Sequence, residues 1–373
     1  MAENALTRIE RRMTAAVTKK ILAEGGDGVF SPTGLGIAAA VILMMSSEST
    51  RDEVCKALGV PPTDELAFLL AHQELHRALS IKKEDVTLTM VNGLFVKGPV
   101  MESFRRTCEN FFRAPTFELR DKESVNTWVK EQTEGLIESL LNADPTASVF
   151  VNVIYFKAVF DVAFPKQKTK CKPFYCDYTA EEPGAPTLVP TMHKTETVDF
   201  ISCHLGKVVE LPYGDGTYAL LIMLPDQKLG LAACVNLLMA EWTTLRAAMR
   251  PMHVEMEVPK FDMKFEFDAS EVFKNENIKE AFVEGSAKLG RLTQDTTCHV
   301  QKVVQSAKFT LDEEGVVAAA ATAVLTGTRG GGGRRREVQY FTVNRPAMYA
   351  VVQKDIDAML FVALVSHPVP VVV

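Results

Sequence analysis

The chain has 373 residues, of which 47% are hydrophobic and 24% charged, a composition that is ordinary for a globular protein with a sizeable core. Its formal net charge of -6 gives no reason to expect a nucleic-acid partner. The first twenty residues mix acids and bases without an apolar block, and no later run is long enough to span a membrane. We therefore expect a cytoplasmic protein without a signal peptide or membrane contact, with export by a leaderless route left open.

The first part of the chain is predicted to be mainly helical. Ser31-Pro32 is a favourable helix start, and an apolar run follows it directly. Residues 122–141 carry apolar side chains at helical spacing on one side. Apart from a strand over 86–96, the pattern predicts helices over 4–24, 32–58, 66–80, 101–112 and 122–141.

The second part is rich in strand patterns. Residues 148–156 are apolar and β-branched, which is typical of a strand buried on both faces. Apart from a helix over 229–250, strands are predicted over 187–201, 207–224 with a turn at 212–216, 252–266, 300–311, 341–343, 347–352 and 360–365. Helices first and strands later indicate an α+β fold with large, mostly antiparallel sheets.

Motifs for common enzyme chemistry are missing from the sequence. It contains neither a G-x-S-x-G nucleophile elbow nor a phosphate-binding glycine loop. The seven cysteines form no CxxC pair, so we interpret them, including Cys171 and Cys176, as reduced thiols. His72 and His76 have the spacing of metal ligands, but we interpret them as part of an exposed polar helix face. We predict no cofactor and no metal.

Residues 315–328 form an unusual ribbon without a charge, placed between two acids and Arg329. Its alanines favour a helix, but Val316, Val317, Thr322 and other β-branched residues favour a strand. Fourteen such residues span roughly 46 Å as a strand at about 3.3 Å each. Because no side chain there is charged, the segment can enter a sheet without burying an unpaired charge. Four glycines follow Arg329, so the ribbon adjoins a segment expected to be flexible.

Several motifs in sequence order resemble those of the serpin family over almost the whole chain. The stretch from Glu313 to Thr322 resembles the serpin hinge, and Phe341 to Pro346 resembles the segment that follows the reactive loop. The other matching stretches are Phe30–Leu35, Asn126–Val129 with Thr133 and Ile137, Asn152–Lys157, Glu210–Asp215 with Ile222–Pro225, and Val258–Phe261. Each motif alone is weak, but together and in family order they are specific.

The resemblance implies one serpin domain over 1–373, with three β-sheets, eight or nine helices, and a hinge and exposed reactive centre loop over 313–340. It also implies a monomeric suicide-substrate inhibitor rather than an enzyme. A protease forms an acyl-enzyme on the loop, and the cut loop then inserts into the central sheet. The hinge residues would be Glu313, Glu314, Gly315, Val316, Val317, Ala318, Ala319, Ala320, Ala321 and Thr322.

The family register predicts which bond is cut. In inhibitory serpins the scissile residue is the seventeenth from the first hinge glutamate, and counting from Glu313 reaches Arg329. The reactive bond would be Arg329–Gly330, and arginine there suits the aspartate-bearing pocket of trypsin-like proteases. Arg334, Arg335 and Arg336 are rival cleavage sites.

The sequence departs from the family pattern in the shutter, the polar cluster beneath the opening sheet. The resemblance assigns Ser31, Gly34, Asn152 and Gln305 to it, with Gly34 in place of a serine and Gln305 in place of a histidine. Because Gly34 has no side chain, we expect water or Asn152 to fill the space. Phe160 also stands where the family has a tryptophan.

Other functions stay open at this stage. The target could be a papain-like cysteine protease that accepts arginine, or the protein could be a non-inhibitory serpin that acts as a binding module. A polyanion such as heparin could bind Arg334–Arg336, or Arg77 with Lys82 and Lys83, although a solvated loop is the simpler interpretation.

Overall fold

The structure is a computed structural model that describes residues 5–80, 85–178, 184–316 and 337–368. The α-helices in these ranges are α1 (Ala5–Glu24), α2 (Pro32–Met45), α3 (Glu48–Leu58), α4 (Glu65–Leu79), α5 (Glu102–Phe112), α6 (Lys122–Gln132), α7 (Leu231–Ala248) and α8 (Ser270–Asn275). None of these described helices is long and apolar enough to cross a bilayer.

The strands of the described residues fall into two hydrogen-bonded sheets. They are β1 (Gly28–Phe30), β2 (Val86–Val96), β3 (Thr116–Glu118), β4 (Ser148–Val159), β5 (Lys170–Phe174), β6 (Thr187–Cys203), β7 (Gly206–Tyr213), β8 (Tyr218–Pro225), β9 (Arg250–Pro259), β10 (Phe261–Asp268), β11 (Val300–Leu311), β12 (Gly315–Val316), β13 (Val338–Thr342), β14 (Ala347–Gln353) and β15 (Ala358–Val365).

The two sheets confirm the expected α+β fold. One has nine strands in the order β1-β15-β14-β8-β7-β6-β9-β13, with β5 paired to β6; the other has the order β10-β11-β4-β2-β3, with β12 paired to β4. Most pairs are antiparallel, while β2–β3, β4–β11 and β9–β13 are parallel. The resemblance implied three sheets. Two of them are joined into the nine-stranded sheet because they share the long strand β6, which pairs with β5 and β9 along most of its length and with β7 at its end.

Helix α2 lies at the centre of the molecule, and all of its fourteen residues are buried. It contacts α1, β4, β11 and β15. Because other elements surround it, the helix needs an apolar surface on every side. The Ser31 side chain accepts a hydrogen bond from the Gly34 N–H, and Pro32 starts the helix. The start of α2 is thereby fixed beneath the six-stranded sheet.

The six-stranded sheet is covered on both faces. Val149, Val151 and Val153 of β4 belong to a cluster with α6, whereas the alternate residues of β4 face the main core. Gly93 of β2 makes room for α6, because a Cβ there would lie 2.6 Å from the Trp128 ring. Helix α6 therefore lies directly on β2 and β4, and β4 is the strand that pairs with β12.

Two helix predictions were too long. Residues 32–58 form two helices, α2 and α3. Helix α2 ends before Ser46, whose hydroxyl donates a hydrogen bond to the Ile42 carbonyl oxygen. The helix predicted over 122–141 ends at Gln132, because Glu134 (φ 52°) and Gly135 (φ 81°) adopt left-handed conformations. Ile137 is still buried, but from a loop.

Two boundaries in the second part also differ. The alternating pattern over 252–266 is two strands, β9 and β10, separated at Lys260. Helix α7 ends at Ala248, and Arg250, predicted as its last residue, starts β9.

Candidate functional site

Strands β4 and β11 lie side by side and parallel at the centre of the six-stranded sheet. Ser148 to Tyr155 stand opposite Val300 to Lys308, with a bulge between Val300 and Lys302. The sheet is therefore closed along this seam. Past the seam, β12 pairs antiparallel with the end of β4, Gly315 opposite Val159 and Val316 opposite Ala158.

A tight turn over residues 312–315 connects β11 to β12. The Asp312 Oδ1 accepts hydrogen bonds from the N–H groups of Glu314 (2.9 Å) and Gly315 (3.2 Å). Gly315 has φ of 134°, and a Cβ there would lie 2.3 Å from the Ala158 carbonyl oxygen. Only glycine fits this position, so the turn returns the chain beside β4 at a fixed point.

The Glu313 carboxylate anchors the turn. Its exposed fraction is 6%, the Lys260 Nζ lies 2.8 Å from Oε2, and the Thr169 hydroxyl donates to Oε1 at 2.6 Å. Burial alone would raise the pKa of Glu313, but the hydrogen bonds from Lys260 and Thr169 outweigh it and lower the pKa. The charged Glu313 carboxylate thus ties the turn to residues on two other segments.

The backbone after β4 holds the same turn through further hydrogen bonds. The N–H groups of Phe164 and Phe160 donate to the carbonyl oxygens of Glu313 (2.7 Å) and Glu314 (2.8 Å). Lys166 also forms an ion pair with the Glu314 side chain. These bonds must change if the chain after the hinge moves into the sheet.

An aromatic cluster lies beside these bonds. The ring of Phe160 stacks on Tyr213 with 4.8 Å between centroids, so phenylalanine retains an aromatic contact where the family has tryptophan. Lys194, buried in β6, lies 4.5 Å above the Phe164 ring and pairs with Glu196, and burial lowers its pKa. Sequence reasoning missed Lys194, whose place in an alternating strand gave no signal, and Lys260, although it lies inside the matched Val258–Phe261 motif.

The structure brings together three of the predicted shutter residues in one buried hydrogen-bond chain. The Gln305 side chain accepts from the Ser31 N–H (2.8 Å) and donates to the Ser31 carbonyl oxygen (3.1 Å) and to Asn152 Oδ1 (2.7 Å). Asn152 in turn donates to Asn92 Oδ1 at 2.7 Å. Since Gln305 and Asn152 stand opposite each other in β11 and β4, their bond crosses the seam.

The fourth predicted residue, Gly34, makes room for this chain. A Cβ on Gly34 would lie 2.1 Å from Asn152 Oδ1. The amide of Asn152 thus occupies the space that a side chain at position 34 would take, one of the two outcomes expected from the sequence. The polar chain joins the start of α2 to β11, β4 and β2.

The remaining predicted loop residues lie outside the described part of the chain. These are Val317, Ala318, Ala319, Ala320, Ala321, Thr322, Arg329, Gly330, Arg334, Arg335 and Arg336 in the loop, together with Lys82 and Lys83. The side chain of Val316 is likewise not described.

The two histidines at metal-ligand spacing are buried, not exposed as predicted. His72 packs edge-on against Phe68 and Phe112, and burial lowers its pKa to about 4. His76 is also buried, and burial lowers its pKa to about 3. No group of three potential ligands that could hold a metal ion occurs among the described residues. All seven cysteines are free thiols.

Comparison with known proteins agrees with this geometry. Serpin B6 of Pongo abelii is 29% identical, covering 91% of this chain and 93% of its own, and Serpin B9 of Homo sapiens is 28% identical, covering 78% and 80%. The crystal structure of the thermophilic serpin tengpin in the native state superposes with a TM-score of 0.86 over 98% of this chain and 95% of its own, at 20% identity. The expected serpin fold is therefore confirmed.

A sequence model of the family Serpin (serine protease inhibitor) matches residues 10–368. This range includes the seam between β4 and β11, the turn over residues 312–315 and every other described part of the candidate site. The chain belongs to the serpin family, whose members are generally serine protease inhibitors rather than catalysts.

Proposed function

We propose that this protein is a suicide-substrate inhibitor of trypsin-like, arginine-specific serine proteases, cleaved between Arg329 and Gly330. The observation that carries the proposal is the hinge. Glu313 is anchored by Lys260, and Gly315 starts a strand that already pairs with β4. An uncharged ribbon follows it directly in the sequence. The same features support a single inhibitory domain, and the free thiols support a reducing cytoplasmic location.

The chemistry is the first half of proteolysis. The protease serine attacks the Arg329 carbonyl carbon, the Arg329–Gly330 bond breaks, and an ester to the protease forms. The proton from the serine passes through the protease histidine to the new amino group of Gly330. The segment ending at Arg329 is then free to enter the sheet with the protease attached, which removes the acyl-enzyme from its hydrolytic geometry.

Extending the β12–β4 register predicts where the inserted residues would lie. Continuing antiparallel from Gly315 opposite Val159 places Thr326 opposite Ser148, the first residue of β4. Arg329 would follow three residues beyond that end, so insertion would carry the protease along the whole of β4. The lengths of ribbon and strand therefore match.

The same register pairs small residues with large ones. Ala318 and Ala320 would stand opposite Phe156 and Ile154, which are fully buried in β4. Thr322 would stand opposite Asn152, where its hydroxyl can replace the Gln305 partner that insertion separates from Asn152. The hinge composition thus fits the seam at both apolar and polar positions.

The test is an equimolar reaction with trypsin, analysed on denaturing gels with mass spectrometry of the released C-terminal peptide. We expect a band at the summed mass and a peptide that begins at Gly330. The variant Arg329→Ala should lose the band, whereas replacing Arg334, Arg335 and Arg336 together by alanine should retain it. The reverse pattern would show that the register is wrong.

Complete cleavage without a trapped complex would contradict trypsin-like inhibition. Trapping by a papain-like cysteine protease would then identify the other target class. Clean turnover by both classes would indicate a non-inhibitory binding module.

A further inference from the structure

One edge of the nine-stranded sheet presents an exposed aromatic side chain. Tyr340 lies in β13, and its exposed fraction is 62%. Among the described strands β13 pairs only with β9, so it is the edge of the sheet. It begins two residues after the segment 317–336, which contains the proposed reactive bond. A large ring in this place needs an explanation, because exposed aromatic residues are enriched at protein interfaces.

A groove of about 350 Å³ runs beside Tyr340. The end of β6 and the start of β7, including Lys207, line one part of the groove, and Asn344 and Arg345 line another. The Lys207 Nζ donates to the Tyr340 carbonyl oxygen at 2.8 Å. Arg345 donates to the Pro225 carbonyl oxygen at 2.6 Å. These bonds hold both cations in place before any partner arrives.

The charge of the groove is mixed, and its cations Lys207 and Arg345 are held by hydrogen bonds to backbone carbonyl oxygens. Its acid, Asp226, accepts a hydrogen bond from the Lys228 N–H. Lys207 uses a backbone carbonyl rather than a carboxylate as its hydrogen-bond partner, so its charge is not neutralised there. A complementary partner would place an apolar side chain against the Tyr340 ring and a carboxylate opposite Lys207.

We propose that Tyr340, with Lys207 and the groove, is a docking surface for the body of the target protease, outside its active-site cleft. The inference rests on the proposed function. Only nine residues lie between Gly330 and Tyr340, so the two are at most about 36 Å apart. A protease of about 230 residues has a radius of gyration of about 17 Å, so one seated on Arg329 reaches the neighbourhood of β13.

The geometry also predicts at which stage the surface acts. Insertion would carry the acylated protease away with the ribbon, while β13 stays in the sheet with β9. Contacts at Tyr340 therefore stabilise the encounter and are lost before trapping. They should change the association rate and the affinity of the encounter complex, but not the number of inhibitor molecules consumed per trapped protease.

The test compares Tyr340→Ser with the matched control Leu66→Ser. Leu66 is 66% exposed on α4, so both substitutions remove one exposed large side chain. Two quantities are measured: the second-order rate constant of covalent complex formation with trypsin, and the Kd for trypsin whose nucleophilic serine is replaced by alanine. We expect Tyr340→Ser to lower the rate constant and raise the Kd about tenfold, as for an interface hot spot. Leu66→Ser should change neither, and both variants should retain the thermal midpoint.

A second variant tests the charge. Lys207→Gln keeps a donor for the Tyr340 carbonyl oxygen but removes the cation, so the association rate should fall and depend less on salt.

Equal Kd values for Tyr340→Ser and the unmodified protein with the inactive trypsin would overturn the docking surface. A rise in inhibitor consumed per trapped protease, with the Kd unchanged, would also overturn it and indicate a role in loop insertion instead. If the unmodified protein forms no covalent complex, the proposed function fails, but the Kd comparison still decides the docking surface.

Discussion

At the scale of single residues, the contact between Gly34 and Asn152 shows how a missing side chain determines its surroundings. The Asn152 amide can bond to both Gln305 and Asn92 only where it stands, and there it fills the Cβ position of residue 34. The glycine is therefore part of the polar chain, although it contributes no polar side-chain atom.

This contact predicts a coupled pair of substitutions. Gly34→Ser should lower the free energy of unfolding by about 1–3 kcal/mol, because the new side chain must displace a buried, hydrogen-bonded amide. In an Asn152→Ala background the same substitution should cost much less, because the space is vacant. Denaturant unfolding of the four proteins of this double-mutant cycle measures the coupling. Equal costs in both backgrounds would show that the two residues do not compete for the space.

The sequence indicated this cluster only in part. The motifs placed Ser31, Asn152 and Gln305 in one site because residue identities carry a family pattern. The orientation of the Asn152 side chain and the ion pair between Lys260 and Glu313 depend on distances between segments that lie far apart in sequence. No local sequence pattern contains these distances.

At the scale of elements, the buried Glu10 joins α1 to α2 and β15. Its Oε1 lies 2.6 Å from the Thr33 hydroxyl, which also lies 2.9 Å from the Met359 carbonyl oxygen, and its Oε2 accepts from the Met359 N–H. One hydroxyl proton cannot serve both oxygens, and the carbonyl can only accept, so a protonated Glu10 satisfies every group. Burial raises the pKa of Glu10 to about 7, and nearby Asp357 acts in the same direction while Arg11 opposes it.

Glu10 should therefore make stability depend on pH. With the folded pKa above the unfolded value of 4.5, the stabilisation is complete below pH 4.5, falls as the pH rises towards 7, and is lost above it. The change is on the order of 3 kcal/mol. Glu10→Gln mimics the neutral form, so it should remove most of this slope and be the more stable protein at pH 8. The check is the free energy of unfolding of both proteins at several pH values from 5 to 8; parallel curves would contradict it.

The elements that the sequence predicted well are those with a long, uninterrupted pattern. The bounds of β2 and β11 were predicted correctly because their alternating or apolar runs end at clear breaks. Helix α6 was predicted too long because apolar spacing continued past Glu134, where the backbone turns left-handed. Tertiary packing decides whether such apolar residues are buried in a helix or in a loop. The spacing of apolar residues in the sequence does not distinguish the two cases.

At the scale of the whole molecule, the six-stranded sheet would form more favourable hydrogen bonds if it gained one more strand. The seam between β4 and β11 is parallel, and parallel pairing is slightly less stable per residue than antiparallel pairing. A strand that continues β12 would replace this one parallel ladder by two antiparallel ladders. It would also bury apolar side chains of the ribbon between α6 and the core.

Cleavage in the reactive loop should therefore raise thermal stability, although it breaks the chain. After cleavage near Arg329 by catalytic amounts of a protease that the protein does not trap, a gain on the order of 5 kcal/mol would raise the thermal midpoint by roughly 6 °C. The variant Ala320→Glu is the control, because insertion would place its carboxylate opposite the buried Ile154, which costs several kcal/mol. Calorimetry of both proteins before and after the cut gives the comparison, and the cut variant should keep the midpoint of the intact protein. If the cut unmodified protein also kept its midpoint, the ribbon would not enter the seam, and the closed sheet would be the most stable arrangement of this chain.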